Sequence, residues 1–162
     1  MQMRALLTLL AVLLLAACGF QLRGAQPLPF ASLYVPAETW EVGALLKRSI
    51  RALGGTELPD AAQEAQAVFT LIGEAREKVI LSLSATGRVR EYQLRYRVAY
   101  KVNDRKGGEY VAPTEIVLVR DISFSDERVL AKEQEEALLY RDMQNDMVQQ
   151  ILRRLAAARI ER

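Results

Sequence analysis

The sequence predicts an α+β fold: a two-layer α/β sandwich with two helices packed on one face of a mainly antiparallel four-stranded sheet. Three patterns predict it. Val42, Leu45, Leu46, Ile50 and Leu53 recur at helical spacing, and so do Tyr140, Met143, Met147, Val148, Ile151, Leu152 and Leu155. Between them, Tyr92, Leu94, Tyr96, Val98, Tyr100 and Val102 hold every even position, while Glu91, Gln93, Arg95, Arg97 and Lys101 hold odd ones. A period of 3.6 marks a helix with one apolar stripe, and a period of two marks a strand with one buried face. Two such helices and such a sheet bury their apolar sides most simply against each other, leaving the other sheet face polar.

Met1 to Arg4 is a short positive start, and Ala5 to Ala17 is an apolar run broken only by Thr8. Thirteen helical residues span about 20 Å, short of a ~30 Å hydrocarbon core, so residues 1–17 are expected to be a signal peptide and not a membrane span. The run ends in Leu15-Ala16-Ala17-Cys18, a pattern that resembles a bacterial lipobox. Cys18 is then expected to become the N-terminus, carrying an N-acyl diacylglyceryl lipid as its membrane anchor. A conventional Ala-type cleavage site or an uncleaved anchor are the other readings of the same segment. Gly19, where an inner-membrane retention signal has Asp, directs the expectation to the periplasmic side of the outer membrane of a Gram-negative bacterium.

Residues 18–31 contain Pro27 and Pro29 and little periodicity, which suggests a lipidated tether before a single domain at residues 32–162. Ser32 to Val35, stopped by Pro36, suits a short first strand. Thr39 is a candidate cap for the first helix, and Gly54-Gly55 its end. From Ala67 to Ser84, strict alternation places Phe69, Leu71, Ala75, Val79, Leu81 and Leu83 on one side, and Glu74, Arg76, Lys78, Ser82 and Ser84 on the other. Ala85-Thr86-Gly87-Arg88 turns this strand into the next, Asn103 to Gly108 turns again, and Glu115 to Phe124 completes a meander. Ser125 or Asp126 is a candidate cap for the long last helix, expected to run to about Arg159.

Composition narrows the chemistry. The chain has no histidine, one cysteine and a net charge of +2 over its 162 residues. The commonest general base and metal ligand is missing, a thiolate cluster within the chain is impossible, and nothing points to nucleic acid. No catalytic or metal-binding residue is therefore assigned. Glu74, Glu77 and Glu91 are the carboxylates a histidine-free hydrolase could use, but Glu74 and Glu77 differ in parity and fall on opposite strand faces. The near-neutral total also hides a dipole. Residues 76 to 106 hold nine Lys or Arg against three Asp or Glu, and residues 109 to 146 hold four against ten. Arg76, Lys78, Arg88, Arg90, Arg95, Arg97 and Lys101 are expected on the wet side and tip of the hairpin. That surface either binds phosphates or carboxylates or simply keeps an exposed sheet soluble.

Three stretches carry a family resemblance: Cys18-Gly19-Phe20-Gln21-Leu22-Arg23-Gly24 behind the lipobox, Glu91-Tyr92-Gln93 opening a strand, and Leu130-Ala131-Lys132-Glu133 leading into the last helix. Together they resemble LptE, the lipopolysaccharide-assembly lipoproteins, across essentially the whole chain. The resemblance implies a non-enzymatic plug of the LptD β-barrel that helps assemble it and binds lipopolysaccharide during insertion into the outer leaflet. It also implies lipid contacts near the hairpin turn and at the start of the last helix. Lys132 matches the second position, and Arg88 and Arg90 stand in for the first, where Ala85-Thr86-Gly87 lacks a basic residue. With Arg95 and Arg97 these are the candidate lipopolysaccharide-binding residues. A different outer-membrane lipoprotein adaptor, serving barrel assembly or cell-wall attachment, is the competing reading.

Overall fold

The computed structural model describes residues 27–36, 40–125 and 129–159. Its elements are β1 (Leu33–Tyr34), α1 (Glu41–Leu53), a single 3-10 turn (Ala62–Glu64), β2 (Ala67–Leu83), β3 (Val89–Asp104), β4 (Glu109–Ser123) and α2 (Val129–Ala156). The strands lie in the order β1-β2-β3-β4, with β1 parallel to β2 and the other neighbours antiparallel. This is the expected α+β arrangement.

Local chemistry sets the boundaries. α1 stops at Gly54, whose φ of 71° suits a residue without a Cβ and whose N–H donates to the Ile50 carbonyl. The turn between β3 and β4 is organised by Asp104, whose carboxylate accepts from the N–H groups of Lys106 at 2.8 Å and Gly108 at 2.6 Å. The expected caps Thr39 and Asp126 lie outside the described residues, as do residues 1–26 with Cys18.

The core is one layer of side chains between the helices and one sheet face. Leu46 and Ile50 of α1 and Met143, Met147, Ile151 and Leu155 of α2 are completely buried with Leu94, Tyr96, Val98 and Tyr100 of β3. The tyrosines and methionines of the apolar stripes are thus packing residues, and Tyr100 stacks on Phe69 with centroids 5.1 Å apart. The packed unit also reaches further back than the expected tether boundary at residue 31. Leu28 is buried and Phe30 is only 1% exposed. The Phe30 ring lies 5.3 Å from that of Tyr110, and Thr56 donates to its carbonyl. Prolines at 27 and 29 favour an extended backbone, in which residues two apart can point the same way into the core.

β4 begins at Glu109, six residues before the expected Glu115. Pro113 obscured this stretch, but β4 is an edge strand, where a residue without an N–H is tolerated. Pairing is irregular there, shifting between Tyr100 and Val102.

The largest departure from strict alternation is a bulge in β2. Phe69 and Leu71 stand opposite Val102 and Tyr100, but the partner of Ala99 is Gly73, so Ile72 is an extra residue, 53% exposed. Two residues opposite one invert the parity of everything that follows. Glu74, Arg76 and Lys78 pair with Val98, Tyr96 and Leu94 on the helix side, while Ala75, Glu77 and Val79 pair with Arg97, Arg95 and Gln93 on the outer face. Arg76 and Lys78 consequently leave the wet face on which alternation placed them. That face is not uniformly polar either, since Val79, Val117 and Val119 are exposed on it beside Arg95 and Arg97.

The inverted parity brings the Glu74 carboxylate to the buried Tyr96 hydroxyl, which donates to it. Burial, and then this bond, raise the Tyr96 pKa well above its usual 10, and burial raises those of Tyr100 and Tyr140. A raised folded-state pKa adds stability that is complete below the unfolded value near 10 and is lost as pH climbs above it. Denaturant midpoints should therefore fall above pH 10. Tyr96→Phe should cost about 1 kcal/mol at neutral pH and make that alkaline fall shallower. Urea titrations of both proteins across pH 7 to 11 measure it; identical alkaline slopes would contradict this account of Tyr96.

Candidate functional site

The end of the sheet that carries the β2–β3 turn also carries the last residues of β4 and the first turn of α2. Lys132 reaches back from α2 to donate to the Ser123 hydroxyl at 3.0 Å and to Glu135 at 2.8 Å. From the opposite wall, Lys78 of β2 places its ammonium 4.4 Å from the centre of the Tyr92 ring and donates to Glu136 at 2.6 Å. Between the two lysines lies a cleft of about 230 Å³, lined also by Tyr92, Phe124, Val129 and Glu133. A second cavity of about 420 Å³ shares Ser123 and Phe124 with it and brings in Arg90, Ser82 and Glu91. Phe124 is held between them by its N–H, which donates to the Arg90 carbonyl at 2.7 Å, and by edge-on contact of its ring with Tyr92 at 5.4 Å.

This cationic end has an apolar rim. Ile80, Leu81, Leu83 and Val129 are exposed there, and Leu130 is 77% exposed. Cations beside exposed aliphatic side chains suit an amphipathic anion, because the ammonium groups take its charge while the rim covers its hydrocarbon.

The five candidate residues fall into separate places. Arg90 and Lys132 flank the Ser123–Phe124 segment from the two cavities. Arg88 follows the turn glycine Gly87, and its backbone is tied to Ser84 through both N–H and carbonyl. Arg95 and Arg97 are on the outer face, where Arg95 donates to Gln93 at 2.9 Å. Arg97 sits between Glu115 at 3.3 Å and Glu77 at 3.5 Å. These two are not brought to the cleft. Lys78, Tyr92 and Phe124 are the cleft residues that sequence reasoning did not assign to a site. Gly73, a glycine inside a strand, was the one local sign of the bulge that turns Lys78 inward.

Arg76, the other cation moved by the bulge, is a structural clip. Its guanidinium bonds the Glu41 carboxylate, which also accepts from the buried Gln144 amide, and lies 5.3 Å from the Tyr140 ring centre. The Tyr140 hydroxyl in turn donates to the Glu77 carbonyl at 2.9 Å. Its pKa is raised by burial first and by the charge of Glu136 second, so it is a neutral donor across physiological pH. The carboxylates considered for hydrolysis do not pair: Glu74 accepts from Tyr96, Glu77 faces Arg97, and Glu91 accepts from Ser82 at 2.6 Å. Among the described residues, no cluster of His, Cys, Asp or Glu could hold a metal, and no helix is long and apolar enough to cross a membrane.

Comparison with known proteins gives a consistent answer. The LptE family, described as lipopolysaccharide-assembly, matches residues 30–155. The LPS-assembly lipoprotein LptE of Yersinia pestis (strain Pestoides F) is 30% identical over 150 residues, covering 90% of this chain and 72% of its own length. Among solved structures, an uncharacterized lipoprotein B from Nitrosomonas europaea superposes with a TM-score of 0.73 at 43% identity, covering 86% of this chain and 91% of its own. The rare lipoprotein B from Shewanella oneidensis gives 0.65 at 32% identity, with coverages of 78% and 92%. A minor lipoprotein from Acinetobacter baumannii gives 0.63 at 26%, with coverages of 81% and 94%.

The two kinds of ion pair differ in what they support. Arg97 and both its partners are about two-fifths exposed, so Arg97→Ala should cost less than about 1 kcal/mol in urea denaturation. Glu41→Ala leaves the buried Gln144 amide without its acceptor and should cost about 1–3 kcal/mol. Equal costs would show that the clip adds nothing beyond an ordinary surface pair.

Proposed function

The chain belongs to the LptE family of lipopolysaccharide-assembly lipoproteins, and from that premise we propose that it plugs and helps assemble an LptD-type outer-membrane β-barrel and binds lipopolysaccharide during its insertion into the outer leaflet. It works without catalysis, held at the periplasmic side of the outer membrane by an N-acyl diacylglyceryl lipid on Cys18. The observation that carries the ligand half is the cleft between Lys78 and Lys132, with Arg90 alongside and exposed aliphatic residues around it. Lipopolysaccharide joins phosphate groups to acyl chains, and this end of the molecule offers partners to both. Charge-assisted bonds supply most of the selectivity, since aliphatic contact alone does not distinguish one lipid from another.

The outer sheet face supports the barrel half. Wide barrels have polar lumens, and a plug must meet them with charge and hydrogen bonds as well as contact area. Arg95, Arg97, Glu77, Glu115, Gln93 and Asp121 supply these, and Val79, Val117 and Val119 add apolar contact between them. On this reading Arg95 and Arg97 serve the barrel, and Arg88, Arg90 and Lys132 serve the lipid.

Two experiments test the halves separately. Purification of tagged protein from native outer membranes in mild detergent should recover one LptD-type barrel at one-to-one ratio; recovery with a different assembly machine would refute the plug role. Reversal of Lys132, Arg90 and Arg88 to Glu should each weaken lipopolysaccharide binding about tenfold, with a larger effect at low ionic strength. Unchanged affinity across the series would refute the ligand assignment.

A further inference from the structure

Lys132 has a counterpart across the cleft that neither sequence alternation nor family resemblance indicates. Lys78 comes from β2, the opposite wall, and its position follows from the extra residue at Ile72. Both lysines are neutralised by acids of the same helix: Lys132 by Glu135 and Lys78 by Glu136. The Lys78 pair is the more enclosed at its acidic end, with the Glu136 side chain 23% exposed against 48% for Glu135. The Tyr92 ring lies against the Lys78 ammonium and holds the cation in the cleft whether or not the carboxylate is there.

We infer that Lys78 is a further phosphate-binding residue of this cleft, and that the Glu136 carboxylate occupies the ligand's anionic position until a phosphate displaces it. The inference rests on the reading of the cleft as the lipopolysaccharide site and extends it. An ammonium has three donors, and Glu136 takes one. A phosphate monoester carries up to two charges and three acceptor oxygens, so it outcompetes a single carboxylate for Lys78 and can span toward Lys132. A monocarboxylate gains nothing by the same exchange. Glu136 therefore acts as a selectivity device: it keeps the lysine neutralised in the empty protein and raises the threshold for weakly charged lipids. Its carboxylate, once released, faces water and Glu133 at the cleft mouth.

The experiment measures lipopolysaccharide binding to the full chain in mild detergent for four proteins: wild type, Glu136→Gln, Lys78→Met and the double variant. The two probes are native lipopolysaccharide and the same material with its lipid A phosphates removed. Removing the internal competitor should tighten native lipopolysaccharide about three- to fivefold in Glu136→Gln, a gain that misfolding cannot produce. Lys78→Met should weaken it by a similar factor, the double variant should match Lys78→Met, and the dephosphorylated probe should respond to none of the changes. A Lys132→Ala control separates the two levels of the argument. If Lys132→Ala weakens binding while Glu136→Gln and Lys78→Met change nothing, the cleft reading stands and the inference is overturned. If wild type does not bind native lipopolysaccharide, the underlying reading falls and the inference with it. A gain in Glu136→Gln that persists in the Lys78→Met background, or is equal for the dephosphorylated probe, also overturns it.

Discussion

One residue inserted into one strand decides what this molecule can do. Ile72 has no partner on β3, so every side chain of β2 beyond it faces the side opposite to the one strict alternation would give it. β3 admits no such freedom, because Leu94, Tyr96, Val98 and Tyr100 are locked in the core. With β3 fixed, the bulge sends Arg76 and Lys78 under the helices and Val79 and Glu77 out. The first cation becomes a clip between α1, β2 and α2, and the second becomes a wall of the cleft.

The fold thereby separates two surfaces that a regular hairpin would have merged. A regular hairpin would have put all of its cations on one wet face. Here the outer face is a mosaic of paired charges and valines, while the tip and the helix side hold cations next to exposed aliphatic residues. α2 connects the two arrangements mechanically. Its apolar stripe buries Met143, Met147 and Ile151, Tyr140 fastens it to the β2 backbone, and its N-terminal turn delivers Lys132 to Ser123. Loss of packing along α2 would therefore be felt at the cleft, although the core and the cleft share no residue.

Much of this architecture can be read in the chain because it follows periodicity. The even positions of β3, the stripes of both helices, the end of α1 at Gly54 and the turns at Gly87 and Gly107 all lie where pattern and backbone chemistry place them. What periodicity hides are its interruptions. The bulge leaves only Gly73 as a local trace, Pro113 masks the start of an edge strand, and two prolines disguise Leu28 and Phe30 as tether although both are core. Of the candidate site, Lys132 and the turn arginines were indicated by resemblance, not by physical pattern. Lys78 could not be assigned, since its side of the sheet depends on a bulge six residues earlier. Arg95 and Arg97 had the right parity for the outer face and are held there by Gln93, Glu77 and Glu115.

The separation of surfaces is the central claim, and site-specific photocrosslinking in living cells tests it most directly. A photoreactive residue at Val129, on the rim of the cleft, should crosslink to lipopolysaccharide, and one at Val117, on the outer sheet face, should crosslink to the barrel protein. Lipopolysaccharide captured from Val117 and none from Val129 would contradict the account, placing the ligand on the sheet face and leaving the cleft a feature of packing alone.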